Sequence, residues 1–276
     1  VNVIQPDPKD HGPDGFNYHD WDGDGDLDVF VNFEEGGYSR LYFNPGKEKI
    51  RGLWTDYIEF KKHGKCEDSG IGDLDNDGDI DYIANGGHVY FNPGKAELRD
   101  HKKWIKMTLF RNEARNPVVS DIDGDGQDEI LLANNGSGAS WGTQDGSTPY
   151  HGDRFIILSV SGGIGDFGTA IVEEYSMSPR DVNKDGANGN SLGGGSPQDI
   201  VICDTDGDGL LEAACFSWNN LALFFIEATG PDSYTIGDTS YLKLSIIDDM
   251  TVGASVADMN GDGKDEVYVS GYYDGS

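Results

Sequence analysis

Asp20-Trp21-Asp22-Gly23-Asp24-Gly25-Asp26-Leu27-Asp28 decides the reading of this chain, because its pattern returns at residues 73–81, 121–129, 204–212 and 258–266. Each copy has Asp at position 1, Asp or Asn at 3, Asp at 5, Gly at 6, and Asp or Glu at 9. The oxygen-bearing sets are Asp20, Asp22, Asp24 and Asp28; Asp73, Asp75, Asp77 and Asp81; Asp121, Asp123, Asp125 and Glu129; Asp204, Asp206, Asp208 and Glu212; and Asp258, Asn260, Asp262 and Glu266. Hard oxygen donors in such number suit Ca²⁺ better than a transition metal. Position 7 varies freely (Asp26, Asp79, Gln127, Leu210, Lys264), so its expected contribution is a main-chain carbonyl. About five ions are expected, one per loop. The fifth loop, with Asn260 in place of an acid, carries one charge less and is expected to be the weakest site.

A lone Asp-Gly turn needs no ion. Five clusters of like charge do, because carboxylates a few ångströms apart repel. The EF-hand opens in the same way but closes with a bidentate Glu at position 12. Here position 12 is Val31, Ala84, Leu132, Cys215 and Val269, and the flanks are short β-rich runs such as Val29-Phe30-Val31 and Glu129-Ile130-Leu131-Leu132. That excludes the helix–loop–helix site.

Aligned on the loops, the chain falls into four-strand units. Strand A enters the loop (117–121, 200–204, 254–258) and strand B leaves it (129–133, 212–216, 266–270). Strand C follows (41–44, 89–92, 155–160, 221–226), then an amphipathic strand D (54–60, 104–110, 170–175, 241–247). The runs are β-branched or aromatic and are bounded by Gly, Pro, Asn and Asp. Tyr-Phe-Asn-Pro-Gly-Lys occurs twice, at 42–47 and 90–95, a direct internal duplication.

These loops resemble the calcium loops of FG-GAP and VCBS-type repeats, and the resemblance covers essentially the whole chain. It implies an all-β fold, a single β-propeller domain over residues 1–276, with one calcium loop per blade. The Phe-Gly…Gly-Ala-Pro signature of the integrin type is absent; Phe167-Gly168 is only a fragment of it. Five loops imply five four-stranded blades, with roughly 55 residues per repeat, the size of a blade. Residues 1–4 align with strand D and are expected to complete the last blade, closing the ring. Little sequence after residue 270 remains for strand C of that blade. Truncation, a short blade, or a strand donated by a neighbouring copy, which would build filaments, all account for this.

The loop starts at 20, 73, 121, 204 and 258 leave one long interval, which holds insertions at 134–153 and 178–197. Both fall on turns opposite the calcium loops, and long loops on a rigid scaffold are where function concentrates. The first carries Trp141, Tyr150 and His151, an aromatic platform suited to stacking on a sugar, or else a loop packed on its own tryptophan. The second contains Asp181-Val182-Asn183-Lys184-Asp185-Gly186, which resembles the start of a sixth loop without its closing acid and is either an ion site completed from elsewhere or a solvated turn.

A formal net charge of −30 argues against nucleic acid and anionic membranes as partners. The longest apolar run, 221–226, is too short to span a bilayer. An extracellular, calcium-rich setting fits, as does the sequon at Asn135. No signal peptide is visible, and the sequence begins at Val1 without Met, as expected of processed numbering. Cys203 and Cys215 are either a disulfide or, with Cys66, small buried thiols. The expected role is a non-catalytic module that binds a glycan, an extracellular protein or its own neighbours. The alternative is a carbohydrate-active lyase or dehydratase drawing on His11, His63, His88 and His151 on the insertion face.

Overall fold

Alternating apolar residues between Gly- and Asp-rich turns build antiparallel meanders throughout the described part of the chain. The computed structural model describes residues 13–34, 36–61, 68–84, 87–108, 114–134, 141–142, 149–150, 154–160, 163–164, 172–176, 197–217, 223–236 and 250–272. The chain divides into two compact units, residues 1–111 with 162–165, and residues 112–161 with 166–276.

The first unit holds two four-stranded sheets. One is β1 (Gly15–His19), β2 (Asp28–Phe33), β3 (Tyr38–Tyr42) and β4 (Tyr57–Lys61), hydrogen-bonded in that order. The other is β5 (Ser69–Gly72), β6 (Asp81–Ala84), β7 (His88–Phe91) and β8 (Ile105–Thr108). The register places Phe30 opposite Leu41 and Leu41 opposite Ile58, so these three share one face. That face meets Tyr82, Tyr90 and Trp104 of the second sheet, with Phe30 stacked on Tyr82 at 4.0 Å between centroids. The other face carries Val31, Phe33, Tyr38 and Tyr42 against Trp54. Burial on both faces explains why Asp28–Phe33 reads as an apolar run and not as strict alternation.

The second unit begins with β9 (Ala114–Ser120) and β10 (Glu129–Asn134). A small hairpin, β11 (Trp141–Gly142) with β12 (Pro149–Tyr150), interrupts before β13 (Arg154–Ser159) and β14 (Val172–Ser176) complete the sheet. A further sheet is β15 (Pro197–Cys203), β16 (Glu212–Ser217), β17 (Leu223–Gly230) and β18 (Ser233–Ile236), followed by the hairpin β19 (Met250–Ala257) with β20 (Glu266–Tyr272). Ile122, Leu131 and Ile157 pack on Ile200, Ala213 and Ile226, which joins the two sheets. Ala214 and Phe216 pack toward Ala254, Val256, Val267 and Val269 of the hairpin.

The architecture is therefore all-β among the described residues, built from four-stranded, propeller-like sheets. Every acidic loop is the turn between the first two strands of its sheet, as the alignment predicts. In the fourth sheet β18 follows β17 through a tight turn at Pro231-Asp232, where Asp232 has φ 52°, and the strand expected at 241–247 lies outside the described residues. Residues 1–4, the second insertion with Asp181–Gly186, Asn135, His151 and Cys66 also lie outside them. Cys203 and Cys215 are free, buried thiols. They point into different cores on opposite faces of their sheet, which rules out a bridge between them. No helix of the described residues is long and apolar enough to cross a membrane.

Candidate metal centres

Each loop leaves one strand and enters the next within nine residues, so its backbone must turn twice. Position 6 supplies one left-handed residue, with φ between 84° at Gly263 and 94° at Gly25. Position 4 supplies the other: Gly23, Gly124, Gly207 and Gly261, and Asn76 in the second loop at φ 57°. Glycine adopts these angles without a Cβ penalty, and Asn is the side chain that tolerates them best.

The turned backbone presents its amides inward, and the acids answer them in a fixed order. The position-1 carboxylate accepts the position-6 amide in all five loops, at 2.9 Å for Asp20, 3.0 Å for Asp73, 3.0 Å for Asp121, 3.2 Å for Asp204 and 2.9 Å for Asp258. The position-5 carboxylate accepts the position-7 amide, at 2.8–3.0 Å. The position-9 carboxylate accepts the position-2 amide, from 2.7 Å at Glu212 to 3.1 Å at Asp28 and Glu129.

Three residues per loop bring carboxylate oxygens within 4.8 Å of one another: Asp20, Asp22 and Asp28; Asp73, Asp75 and Asp81; Asp121, Asp123 and Glu129. The fourth loop gathers four, Asp204, Asp206, Asp208 and Glu212. Asp24, Asp77 and Asp125 at position 5 stay outside those clusters, as do the side chains of Asp26 and Asp79 at position 7. The fifth loop forms no such cluster among the described residues. There Asn260 Nδ2 donates to Glu266 Oε1 at 2.5 Å, so the position-3 amide is turned onto the closing acid.

The clusters could hold a cation, and the local chemistry fits one. Asp22 Oδ1 and Asp121 Oδ1 are shielded from solvent and accept no hydrogen bond. Buried acceptors are rarely left this way without an ion or water to satisfy them. Burial, reinforced by neighbouring acids, raises four of the clustered groups. It pushes Asp81 and Glu129 up to about 8, and Asp28 and Asp75 up to about 6. Backbone amides pull Asp81 and Glu129 the other way without prevailing. A hard cation would supply the missing positive charge.

The duplicated Tyr-Phe-Asn-Pro-Gly-Lys segment proves to be part of these loops. The Asn44 amide donates to Asp28 Oδ1 and the Asn92 amide to Asp81 Oδ1, both at 2.7 Å. Each Asn side chain then donates to the carbonyl at loop position 8, Leu27 or Ile80, and accepts from the glycine two residues on, Gly46 or Gly94. The end of strand C thus clasps the loop shut. The repetition of the segment was the signal for this role, and for the position-4 glycines the signal was their recurrence.

Contacts from neighbouring sheets escape sequence reading altogether. In the first unit Arg99 Nη2 meets Asp22 Oδ2 at 2.9 Å and Lys95 Nζ donates to the Gly23 carbonyl at 3.2 Å. In the second, the Asp232 amide and the Tyr234 hydroxyl donate to Asp123 Oδ2, at 2.5 and 3.0 Å. The second-unit loops also join edge to edge. The Leu211 amide donates to the Ile122 carbonyl at 3.3 Å and the Asp265 amide to the Asp204 carbonyl at 2.8 Å.

Of the expected ligand face, Trp141 and Tyr150 are register partners across the β11–β12 hairpin. Among the histidines raised for catalysis, His88 opens β7 with Nδ1 2.9 Å from Thr108 Oγ1, and desolvation beside Lys106 pushes it down to about 4. His11 and His63 lie outside the described residues.

Residues 20–84 match the family model of the FG-GAP-like repeat. No curated protein sequence matches the chain. Among solved structures the chain is similar to virginiamycin B lyase from Staphylococcus aureus, with 15% identity and a TM-score of 0.45, covering 90% of this chain and 60% of that one. It is also similar to BBS1N in complex with ARL6DN, with 15% identity and a TM-score of 0.42, covering 82% and 56%. The chain spans at most about 60% of the length of these structures.

Proposed function

We infer that the chain is an extracellular, Ca²⁺-stapled β-propeller module that binds a glycan or protein partner and performs no catalysis. The observation that carries this reading is the recurrence, at the same turn of five successive hairpins, of one acidic loop, which gathers a carboxylate cluster in four of them and leaves a shielded oxygen without a donor in two, at Asp22 and Asp121. An array placed between the first two strands of each sheet fastens that hairpin, which is a structural task. The five hairpins support a ring of five blades. An acidity of −30 suits a medium in which millimolar Ca²⁺ neutralises the surface. The partner site then belongs to the insertion carrying Trp141 and Tyr150, opposite the loops.

Two experiments test this. Isothermal titration of chelator-stripped protein with Ca²⁺ and Mg²⁺ should show Ca²⁺ bound far more tightly, because Mg²⁺ dehydrates reluctantly and needs a smaller, octahedral cage. Equal affinities, or no heat with either, would refute the cation reading. A glycan array screened with the native chain and with Trp141→Ala/Tyr150→Ala should yield a hit that the double variant loses. A hit that survives it places the partner site elsewhere.

A further inference from the structure

The position-3 acid stands at a boundary. Asp22 in the first loop and Asp123 in the third are cluster members, yet each is also gripped by the sheet that follows within its own unit. The two oxygens divide the work. Asp123 Oδ1 accepts the Asp125 amide of its own loop at 3.1 Å, and Asp22 Oδ1 is shielded with no donor at all. Oδ2 faces the neighbour, which is Arg99 for Asp22, and Asp232 with Tyr234 for Asp123.

The gripping residues come from the same place in each sheet, the connection between its third and fourth strands. Arg99 lies between β7 and β8. Asp232 lies in the β17–β18 turn and Tyr234 in β18 itself. They are also anchored. The Arg99 guanidinium sits 3.8 Å from the centroid of Phe43, the residue before the clasping Asn44, and 3.4 Å from Asp56. Tyr234 packs against the core that joins the third and fourth sheets.

The chemistry of the two grips differs. Arg99 brings a full positive charge to Asp22, the charge a cation in that loop would also bring. Tyr234 and the Asp232 amide bring neutral donors, which orient Asp123 without spending its charge. We propose that the position-3 carboxylate is a joint between cation site and neighbouring sheet, with Arg99 opposing cation binding in the first loop and Tyr234 favouring it in the third. This rests on the reading of the loops as Ca²⁺ sites. Linkage makes the effect reciprocal. Ca²⁺ loosens the Arg99 connection in the first unit and tightens the Tyr234 connection in the second. The position-3 acid thereby grades the affinities of loops whose own sequences are almost equivalent.

Hydrogen exchange of the whole chain, followed by mass spectrometry across a Ca²⁺ titration, reads each loop separately. Arg99→Gln should shift the protection midpoint of residues 20–28 to lower Ca²⁺ by roughly three- to tenfold, the scale of a nearby screened charge. Arg99→Lys, which keeps the charge, should leave it near the native value. Tyr234→Phe should raise the midpoint of residues 121–129 by about three- to fivefold, the scale of one lost hydrogen bond. Added Ca²⁺ should deprotect residues 95–103 and protect 230–236. Loops that gain protection while both midpoints and both connections stay unchanged would overturn the joint and leave the Ca²⁺ reading intact. An Arg99→Gln shift to higher Ca²⁺ would overturn it too. Loops that gain no protection at any Ca²⁺ concentration would overturn the Ca²⁺ reading itself, and the joint with it.

Discussion

Asp81 is the residue where burial and hydrogen bonding oppose each other most plainly. Both its oxygens accept amides, from Leu74 and Asn92, yet burial still pushes it up to about 8. Burial pushes Glu129 up to about 8 as well, with the Ile122 amide opposing it, and Asp28 and Asp75 reach about 6. The sign of the pH dependence follows. Between the ordinary values of 3.8–4.5 and these raised values, the folded metal-free chain holds protons that the unfolded chain has released. Stability then falls as pH rises. Metal-free protein should therefore lose thermal stability steadily from about pH 4 to pH 8, whereas Ca²⁺-loaded protein, with its acids ionised, should not. Melting curves at a series of pH values, with and without Ca²⁺, check both halves. A metal-free protein most stable near pH 8 would contradict the assignment.

The clasp is a residue-scale feature as well. Asn92→Ala removes the donor to the Ile80 carbonyl and the acceptor for Gly94, in a buried position. It should cost about 2 kcal/mol, a few degrees in Tm. Asn44→Ala should do the same at the first loop, and chemical denaturation of both variants checks it. The duplicated segment was plain in the sequence and its task was not, because nothing in one dimension says that Asn92 lies against Asp81. The acids of positions 1, 3 and 9 were legible, since ligand spacing is local. The position-5 acids were expected to converge with them. In the first three loops they bond the position-7 amide outside the cluster, whereas Asp208 in the fourth makes the same bond and stays within it.

At the scale of elements, the loop governs the hairpin and the hairpin governs the sheet. Gly126 has φ 92° with open space around its α-carbon, so Gly126→Ala meets no clash and isolates backbone strain. It should destabilise the chain by about 1–2 kcal/mol and weaken Ca²⁺ binding at the third loop. Wild-type affinity there would mean that the turn geometry does not set the site. Strands flanking the loops were legible within a few residues, because apolar runs end at Gly and Asp. Strand β18 was not, because its pairing with β17 depends on the turn at Pro231-Asp232 and not on an apolar pattern of its own. The two cysteines looked ready to pair because they lie on adjacent strands, and the pleat sends them to opposite faces.

Over the whole molecule, the sequence says that sheets repeat and the structure says what joins them. Within the first unit the joint is aromatic, with Phe30, Phe60, Tyr82, Tyr90 and Trp104 in one cluster. Within the second it is aliphatic, and the acidic loops add backbone bonds from each to the next. Charge works against this packing. With 50 acids to 20 bases, the metal-free chain repels itself, so raised NaCl should stabilise it while adding little to the Ca²⁺-loaded form. Thermal melts at low and high salt check that contrast.

The central claim is that the five loops hold Ca²⁺, and native mass spectrometry of the intact chain in dilute Ca²⁺ tests it most directly. The account predicts about five bound ions, the weakest lost first and belonging to the fifth loop, so that Asn260→Asp strengthens it. A chain that retains no stoichiometric Ca²⁺, and whose melting temperature is the same in Ca²⁺ and in EGTA, would contradict it.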